Sequence, residues 1–600
     1  MLRATVGAEN ESKGICDSIT LEIVRGVLKA TTNEMTALVE RTAMSPFIRE
    51  KKDFQSGVFD RNGRLVYSHS WAAAGNLVQT VSDIFPMSTM RDGDVYWYND
   101  CYASKGVVTH SPDQVFLMPV FGEGEIIAFT EGWAHFNDIG GMRPGSVSSD
   151  CTEIFQEGII VPPVKLVDQG KFADDLLRLF CRNSRFPEMV LGDVRALIAA
   201  TALGKRRVEE ACSRFGSERL ADAFDQLIER TSLEARAKMK SLFVPGIYKT
   251  SSTIDSDGQG NGPFKLRYTL SVENDRIILD TTESDDQTKG PINLLLNSGS
   301  TCSMLGNYIL SSDGYSVSND GLSAVLDEIE VREGSILQPI FPAPLGFRGS
   351  TMMRHLVSMM SLVAVASGGQ SSAGFSAYVI YYMRGHDQNG NLFLLSDGIG
   401  VGYGARPYAD GNDAIYSTAN ENYPCEFIEV NYPVRIKRYA ISRDTGGAGR
   451  YRGGCGVIRE VEILTETAAL SIRIDSIKTP PWGVNGGMAG RSGGCWVNPG
   501  TPEERYIEGV SDGTILKRGD ILRVMTAGGG GWGHPFDREP ERVLGDILDG
   551  FVSVDSAFAD YGVVLDAAGL TVDELATAKR REQRPATKLF HQNGYKEVLA

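Results

Sequence analysis

The sequence predicts a mixed, β-rich α+β protein built as a multidomain body. Three observations predict it. The chain has 600 residues, several times the roughly 100–200 residues that one core usually serves. Its hydrophobic period changes along the chain, from helical spacing to alternation and back. A long stretch and a short run of its second half are crowded with glycine, which punctuates strands rather than helices.

The elements follow in order. Leu21, Val24, Val27, Leu28, Met35, Leu38 and Val39 recur at helical spacing, with Asp17 and Ser18 as caps and Pro46 beyond the end. This pattern predicts a helix from about Ser18 to Met44. Phe54, Ser56 and Val58 alternate, Asn62-Gly63 offers a turn, and Leu65 and Tyr67 begin a return strand. Val115 to Phe121 and Ile126 to Thr130 are the strongest strand segments of the next region. From Asp168 to Phe243 the period is helical, and Pro245-Gly246 closes it. Strands are then expected at Ile277 to Leu279 and Ile329 to Val331, and helices over Cys302 to Leu310 and Arg354 to Ala366. Gly446 to Gly494 reads as tight turns between strands, and Gly528 to Gly533 as a sharp punctuation. Terminal helices are expected over Pro540 to Phe551 and Thr571 to Arg581. The corresponding limits are 1–167 for the first helix and a His- and Asp-bearing loop region, 168–247 for a helical segment, 248–535 for a β-rich region with glycine turns, and 536–600 for a helical tail.

Composition excludes several classes. Apolar residues make up 42% and charged residues 23%, the balance of a globular protein with ample material to bury. A net charge of −16 lacks the basic footprint that phosphate neutralisation requires, so no nucleic-acid partner is expected. The opening residues carry no apolar leader, and no apolar run approaches a membrane span. Nine dispersed cysteines with no CxxC pair suit reduced thiols. A cytoplasmic protein is expected. Gly528 to Gly533 lacks the Gly-Lys-Ser/Thr ending of a phosphate loop, and no Gly-x-Ser-x-Gly elbow occurs. The chain offers no nucleotide site of its own.

The segments that carry chemistry are two His-x-x-Asp pairs, His110 with Asp113 and His135 with Asp138. They flank the predicted strands, and two adjacent strands bring such loops to one sheet edge. Imidazole nitrogen and carboxylate oxygen together suit zinc, manganese or iron. Pro112 stiffens the backbone before Asp113. The same spacing also suits histidines satisfied by hydrogen bonds alone, and spacing does not choose between the two.

The run Thr20-Leu21-Glu22-Ile23-Val24-Arg25-Gly26, then Glu40-Arg41-Thr42-Ala43 and Lys52-Asp53-Phe54-Gln55-Ser56, resembles the opening of the hydantoinase B family. So do His110-Ser111-Pro112-Asp113, His135 to Gly141, Glu153 to Gly158, Pro162 to Leu166, Gly449 to Gly454 and Gly528 to Gly533, in order along nearly the whole chain. The resemblance implies a B-type subunit that works with a larger A-type ATPase subunit, in a heterotetramer or larger assembly. That partner binds ATP and magnesium and phosphorylates a substrate oxygen. The implied substrates are small cyclic amides such as hydantoins and lactams, or ketones that are carboxylated. A structural subunit with a residual metal site is a third reading. The resemblance also implies a divalent metal held by Asp53, His110, Asp113 and His135, with Asp138 as an extra or supporting group and a candidate base. The chain departs from the family at Phe136, where a second histidine is common, and at Trp71 to Ala74, where His69 is not followed by its usual partner. Both changes favour a more apolar ligand.

Overall fold

The structure, a computed structural model, describes residues 16–585 apart from 71–74, 274–275, 312–318, 377, 417–419 and 567–570. The departure expected at 71–74 therefore lies outside the described residues.

The first helix, α1, runs Ser18–Thr42. The Asp17 carboxylate accepts hydrogen bonds from the backbone of Ile19 and Thr20 and so caps two otherwise orphaned donors. The helix buries Leu21, Val24, Leu28, Met35 and Val39. Its end is set by extended backbone at Ala43. The Asp193 carboxylate then accepts from the backbone of Met44 (2.7 Å) and Ser45 (3.0 Å). A short helix, α2 (Pro46–Arg49), follows with Ser45 as its cap. These two anchors aim residues 47–53 at the sheet behind them.

That sheet has seven strands: β1 (Phe54–Asp60), β2 (Leu65–Ser68), β3 (Val95–Tyr98), β4 (Asp113–Gly122), β5 (Glu125–His135), β6 (Val164–Asp168) and β7 (Lys171–Phe172), in the order β2-β1-β5-β4-β3-β6-β7. All neighbours are antiparallel. The short helix α3 (Leu77–Ser82) follows β2. The expected helical segment resolves into α4 (Asp174–Asn183), α5 (Pro187–Phe215) and α6 (Ser217–Leu242). Helix α5 covers one face of β4 and β5, and α1 packs beside it against β1 and β2.

A second sheet, β8 (Gly246–Ile254), β9 (Phe264–Val272), β10 (Ile277–Asp280) and β11 (Glu328–Glu330), packs against α8 (Gly349–Ala366), with α7 (Ser298–Ser311) beside it. Both helices begin a few residues before their apolar periodicity does, because small residues open them. Two further sheets follow, their strands interleaved in the chain, with α9 (Cys425–Asn431) between β13 and β14. One holds β12 (Val379–His386), β13 (Leu392–Ile399), β16 (Thr467–Arg473) and β19 (Val510–Lys517). The other holds β14 (Val434–Ile441), β15 (Val457–Ile463), β17 (Gly494–Val497), β18 (Arg505–Ile507) and β20 (Ile521–Met525). They share one core that includes Tyr381, Leu395, Val461, Leu470 and Val524. The tail forms α10 (Pro540–Leu548), α11 (Val554–Ala559) and α12 (Glu574–Arg581).

The stretch from Gly446 to Gly494 holds β15, β16 and a turn at Asn485-Gly486, but the second glycine stretch does not turn the chain as expected. Gly528 to Gly531 form the centre of a bundle of extended segments. Gly529 donates to the Gly454 carbonyl, Gly530 to Gly374 and Gly531 to Met488, each at 2.9 Å. A Cβ on Gly529 would collide with the carbonyl of Tyr403, and one on Gly530 with that of Trp482. Within the run from Gly528 to Gly533, only Gly533 has positive φ. Glycine here permits backbones to approach, not to reverse.

Candidate metal centre

The site forms where β1 and β4 begin and β5 ends. The register places His135 directly opposite Asp113 and Ala134 opposite Phe54. Asp53, one residue before β1, accepts a hydrogen bond on its carbonyl from the His135 backbone (3.1 Å). His110 stands three residues before β4, in the loop that enters it. Side chains alternate along a strand, so His135 and Trp133 face a common cavity, while Ala134 and Phe136 face the opposite core.

Three side-chain atoms converge. His110 Nε2 lies 2.9 Å from Asp113 Oδ1 and 3.0 Å from His135 Nδ1, and His135 Nδ1 lies 3.2 Å from the same oxygen. All three residues are buried. His110 Nδ1 lies 3.3 Å from the Gly346 carbonyl, which can only accept; in the tautomer that donates there, Nε2 presents a lone pair. Two lone pairs and the His135 nitrogen then crowd one point with at most one proton among them. A divalent cation at that point satisfies all three, and the donor set of two imidazoles and one carboxylate suits zinc, manganese or iron. The carbonyl behind His110 is the kind of outer partner that fixes a ligand's ring.

Electrostatics fit the same reading. Burial drives the His110 imidazole down to about 3, helped by the Arg348 charge, so it stays neutral. Burial works to raise the Asp113 carboxyl; a proton on the facing nitrogen of His110 or His135, and the Arg348 charge, hold it below its ordinary value. Arg348 reaches Asp113 Oδ2 at 3.4 Å and its Nε donates to Thr109 Oγ1 at 2.9 Å.

Asp53 lines the same cavity but lies outside the three-atom convergence. Burial raises its carboxyl, Asp113 adds to the rise, and His135 and a hydrogen bond from Asn420 oppose it. Asp138 is placed elsewhere. Its carboxylate accepts from the backbones of Gly145 (2.9 Å) and Arg185 (2.9 Å), from Ser184 Oγ (3.2 Å) and from the Arg185 guanidinium (3.0 Å). These partners occupy both oxygens and pin the loop after β5, and Asp138 does not line the cavity. Phe136 is likewise buried in the core, stacked on Phe116 with centroids 6.5 Å apart. His69 accepts from the Ser56 backbone at 3.1 Å and is not part of the cavity lining. The apolar character expected from Phe136 comes instead from Phe47, Trp133, Phe347, Tyr378, Tyr382 and Tyr416. The cavity measures about 90 Å³, room for several waters or a compact ligand.

Several residues of the site were not legible in the sequence. Glu157, buried and pushed up to about 8 by burial, accepts from the backbones of Leu345 (2.7 Å) and Gly346 (2.6 Å). It thereby holds the loop that supplies the Gly346 carbonyl and Arg348. Arg473 ends β16 and lines the far wall. Its one signal in the sequence is an arginine closing the apolar run Ala468-Ala469-Leu470-Ser471-Ile472, where a charge is unusual.

The family profile described as hydantoinase B/oxoprolinase matches residues 17–535. The B component of a putative D-/L-hydantoinase from a Pseudomonas species is 30% identical, over 92% of this chain and 95% of its own length. The beta component of the caprolactamase of Pseudomonas jessenii is 28% identical, over 94% of this chain and 99% of its own. The crystal structure of the ATP-dependent caprolactamase from that organism superimposes with a TM-score of 0.83 at 26% identity, covering 95% of this chain and all of that one. The delta component of the acetophenone carboxylase of Aromatoleum aromaticum is 26% identical, over 82% of this chain and 78% of its own. Among the described residues no helix is long and apolar enough to cross a membrane.

Proposed function

Because the chain belongs to the hydantoinase B/oxoprolinase family, we propose that it is the B-type subunit of a two-component, ATP-dependent enzyme that opens a cyclic amide. The observation that carries the reading is the convergence of His110 Nε2, Asp113 Oδ1 and His135 Nδ1 within 3.2 Å in a cavity. These residues would hold a divalent metal, zinc, manganese or iron, with Asp53 joining them from the same cavity. Such an ion, when bound, supplies Lewis acidity toward water or a carbonyl oxygen. ATP and magnesium belong to an A-type ATPase partner, whose phosphorylation of the amide oxygen makes an unreactive ring openable. The complex acts in the cytoplasm as a heterotetramer or larger assembly.

The chain's own residues then have distinct tasks. Arg348 holds Asp113 ionised and oriented. The aromatic walls exclude bulk water and shape the pocket around a ring. Asp138, expected as a base, takes no chemical step in this scheme; its hydrogen bonds make it the fastener of the loop beyond His135.

The aromatic lining also favours a second reading, the carboxylation of an aromatic ketone. One experiment separates them. The chain is co-purified with its A-type partner and incubated with ATP, a panel of lactams, hydantoins and ketones, and isotopically labelled bicarbonate. Ring-opened amino acids without label support the cyclic amidase. Label in a new carboxylate shows the carboxylase instead. ATP consumption with neither product leaves the chain as a structural subunit.

A further inference from the structure

Arg473 is 3% exposed, yet among the described residues it has no ion-pair partner, and its Nε and Nη2 have no hydrogen-bond partner. The other buried arginines are paired: Arg354 with Asp475, Arg384 with Asp512, Arg452 with Asp413, Arg459 with Asp397 and Arg538 with Asp410. Arginine keeps its charge at any physiological pH, so burial without a counter-ion is costly. The face of the Tyr378 ring, 4.5 Å away, offsets part of that cost.

The surroundings add positive potential rather than remove it. The guanidinium lies against Gly349, the first residue of the 18-residue helix α8, where a Cβ would overlap it. No side chain caps that helix end, which carries the positive end of the helix dipole. Arg348, the adjoining cation, is already committed to Asp113 and Thr109. A helix N-terminus and a free buried guanidinium beside one cavity form a receptor for an anion.

We propose that Arg473, seated on the N-terminus of α8, binds an oxyanion carried by the ligand of this cavity, a phosphoryl or a carboxylate group. The inference rests on the cavity being the reaction site proposed above, and it deepens that reading: the ligand enters as an anion, with its charged end at Arg473 and its reacting end at the three converging side chains. Gly349 is glycine so that the guanidinium can reach the helix end.

The full chain, stripped of metal with a chelator, is titrated with inorganic phosphate and with acetate by calorimetry. The wild type should bind one of the two, and the one it prefers identifies the source of the oxyanion. Arg473→Met should weaken that binding by about tenfold or more, the scale of a lost charge-assisted hydrogen bond. Arg473→Lys should recover part of it. Gly349→Ala, which keeps the arginine but takes its place at the helix, should also lose affinity; it serves if Arg473→Met fails to fold. Metal content of the untreated variants should equal that of the wild type. Equal anion affinity in wild type and Arg473→Met, or no anion binding by the stripped wild type, overturns the proposal. An untreated wild type that holds no metal would count against the metal centre and leave the anion site standing.

Discussion

The two walls of the cavity differ in how far apart their residues lie in the chain. Asp53, His110, Asp113 and His135 come from the ends of three neighbouring strands and the loops that enter them, and the ladder itself brings them together: His135 opposes Asp113, and the start of β1 lies alongside. The facing wall draws on Arg348, Tyr378, Tyr416 and Arg473, from the α8 entrance, the edge of one sheet and two loops. Nothing local in the sequence joins those four. The lesson is that a site wall built on one sheet edge can be read from motif spacing, whereas a wall built by docking separate layers cannot.

The largest effect should come from the local wall. His110→Ala, Asp113→Ala and His135→Ala in the co-purified complex should each lower turnover by more than about 10³-fold and remove bound metal, read by elemental analysis. Full activity in all three variants would leave the first wall without a chemical role.

Next is the scaffold behind the second wall. Gly529→Ala should prevent folding or strongly destabilise the chain, because its Cβ meets the Tyr403 carbonyl and backbone cannot step aside. Gly545→Ala, in helix α10 with nothing within 4 Å, should instead stabilise by about 0.5–1 kcal/mol. Thermal melts of the two variants test whether glycine serves close approach in one place and chance in the other. Similar melts for both would refute that assignment.

The walls are held together by a buried charge cluster. Lys51, two residues before Asp53, pairs with Asp397 at 3.0 Å, both fully buried, and Asp397 also pairs with Arg459 and accepts from the Tyr381 hydroxyl at 2.8 Å. Asp397→Ala leaves two cations buried without their anion and should cost about 3–5 kcal/mol. Denaturant unfolding measures it, and a loss below about 1 kcal/mol would show the walls to be held by apolar packing alone.

The remaining effect is a pH slope. The Glu157 carboxyl is raised by burial from its ordinary value of 4.5 to about 8. The folded state therefore holds a proton that the unfolded chain releases between these values. Its contribution to stability is full below about pH 4.5 and is lost as pH rises through about 8, at up to about 1.4 kcal/mol per pH unit. Glu157→Gln keeps an oxygen for the Leu345 and Gly346 amides and should flatten the slope by that amount. Identical pH profiles for the two proteins would show Glu157 to be ionised in the fold.

Much of the architecture was legible. The Asp17 cap and the spacing from Leu21 to Val39 specify α1, and the change of period near Asp168 announces the helical segment, although β7 (Lys171–Phe172) comes first and α4 opens only at Asp174, because these signals are local hydrogen bonding and burial on one face. The run from Gly528 to Gly533 misled, since a turn and a close approach use the same residue for different reasons, and only the neighbouring backbone tells them apart. Asp138 shared its spacing with Asp113, yet the chain after β5 turns its carboxylate to Arg185 and Ser184.

By itself the sequence determined the helix and strand pattern, the family resemblance and the candidate ligands clustered near two strand ends, because periodicity, caps and short spacings are properties of neighbouring residues. Only the tertiary structure decided which carboxylate meets the histidines, that Phe136 faces the core, and that Arg473 lies against the start of α8 with no ion-pair partner among the described residues. Those outcomes depend on which faces of distant layers dock, and docking is settled by packing and charge across hundreds of residues of chain.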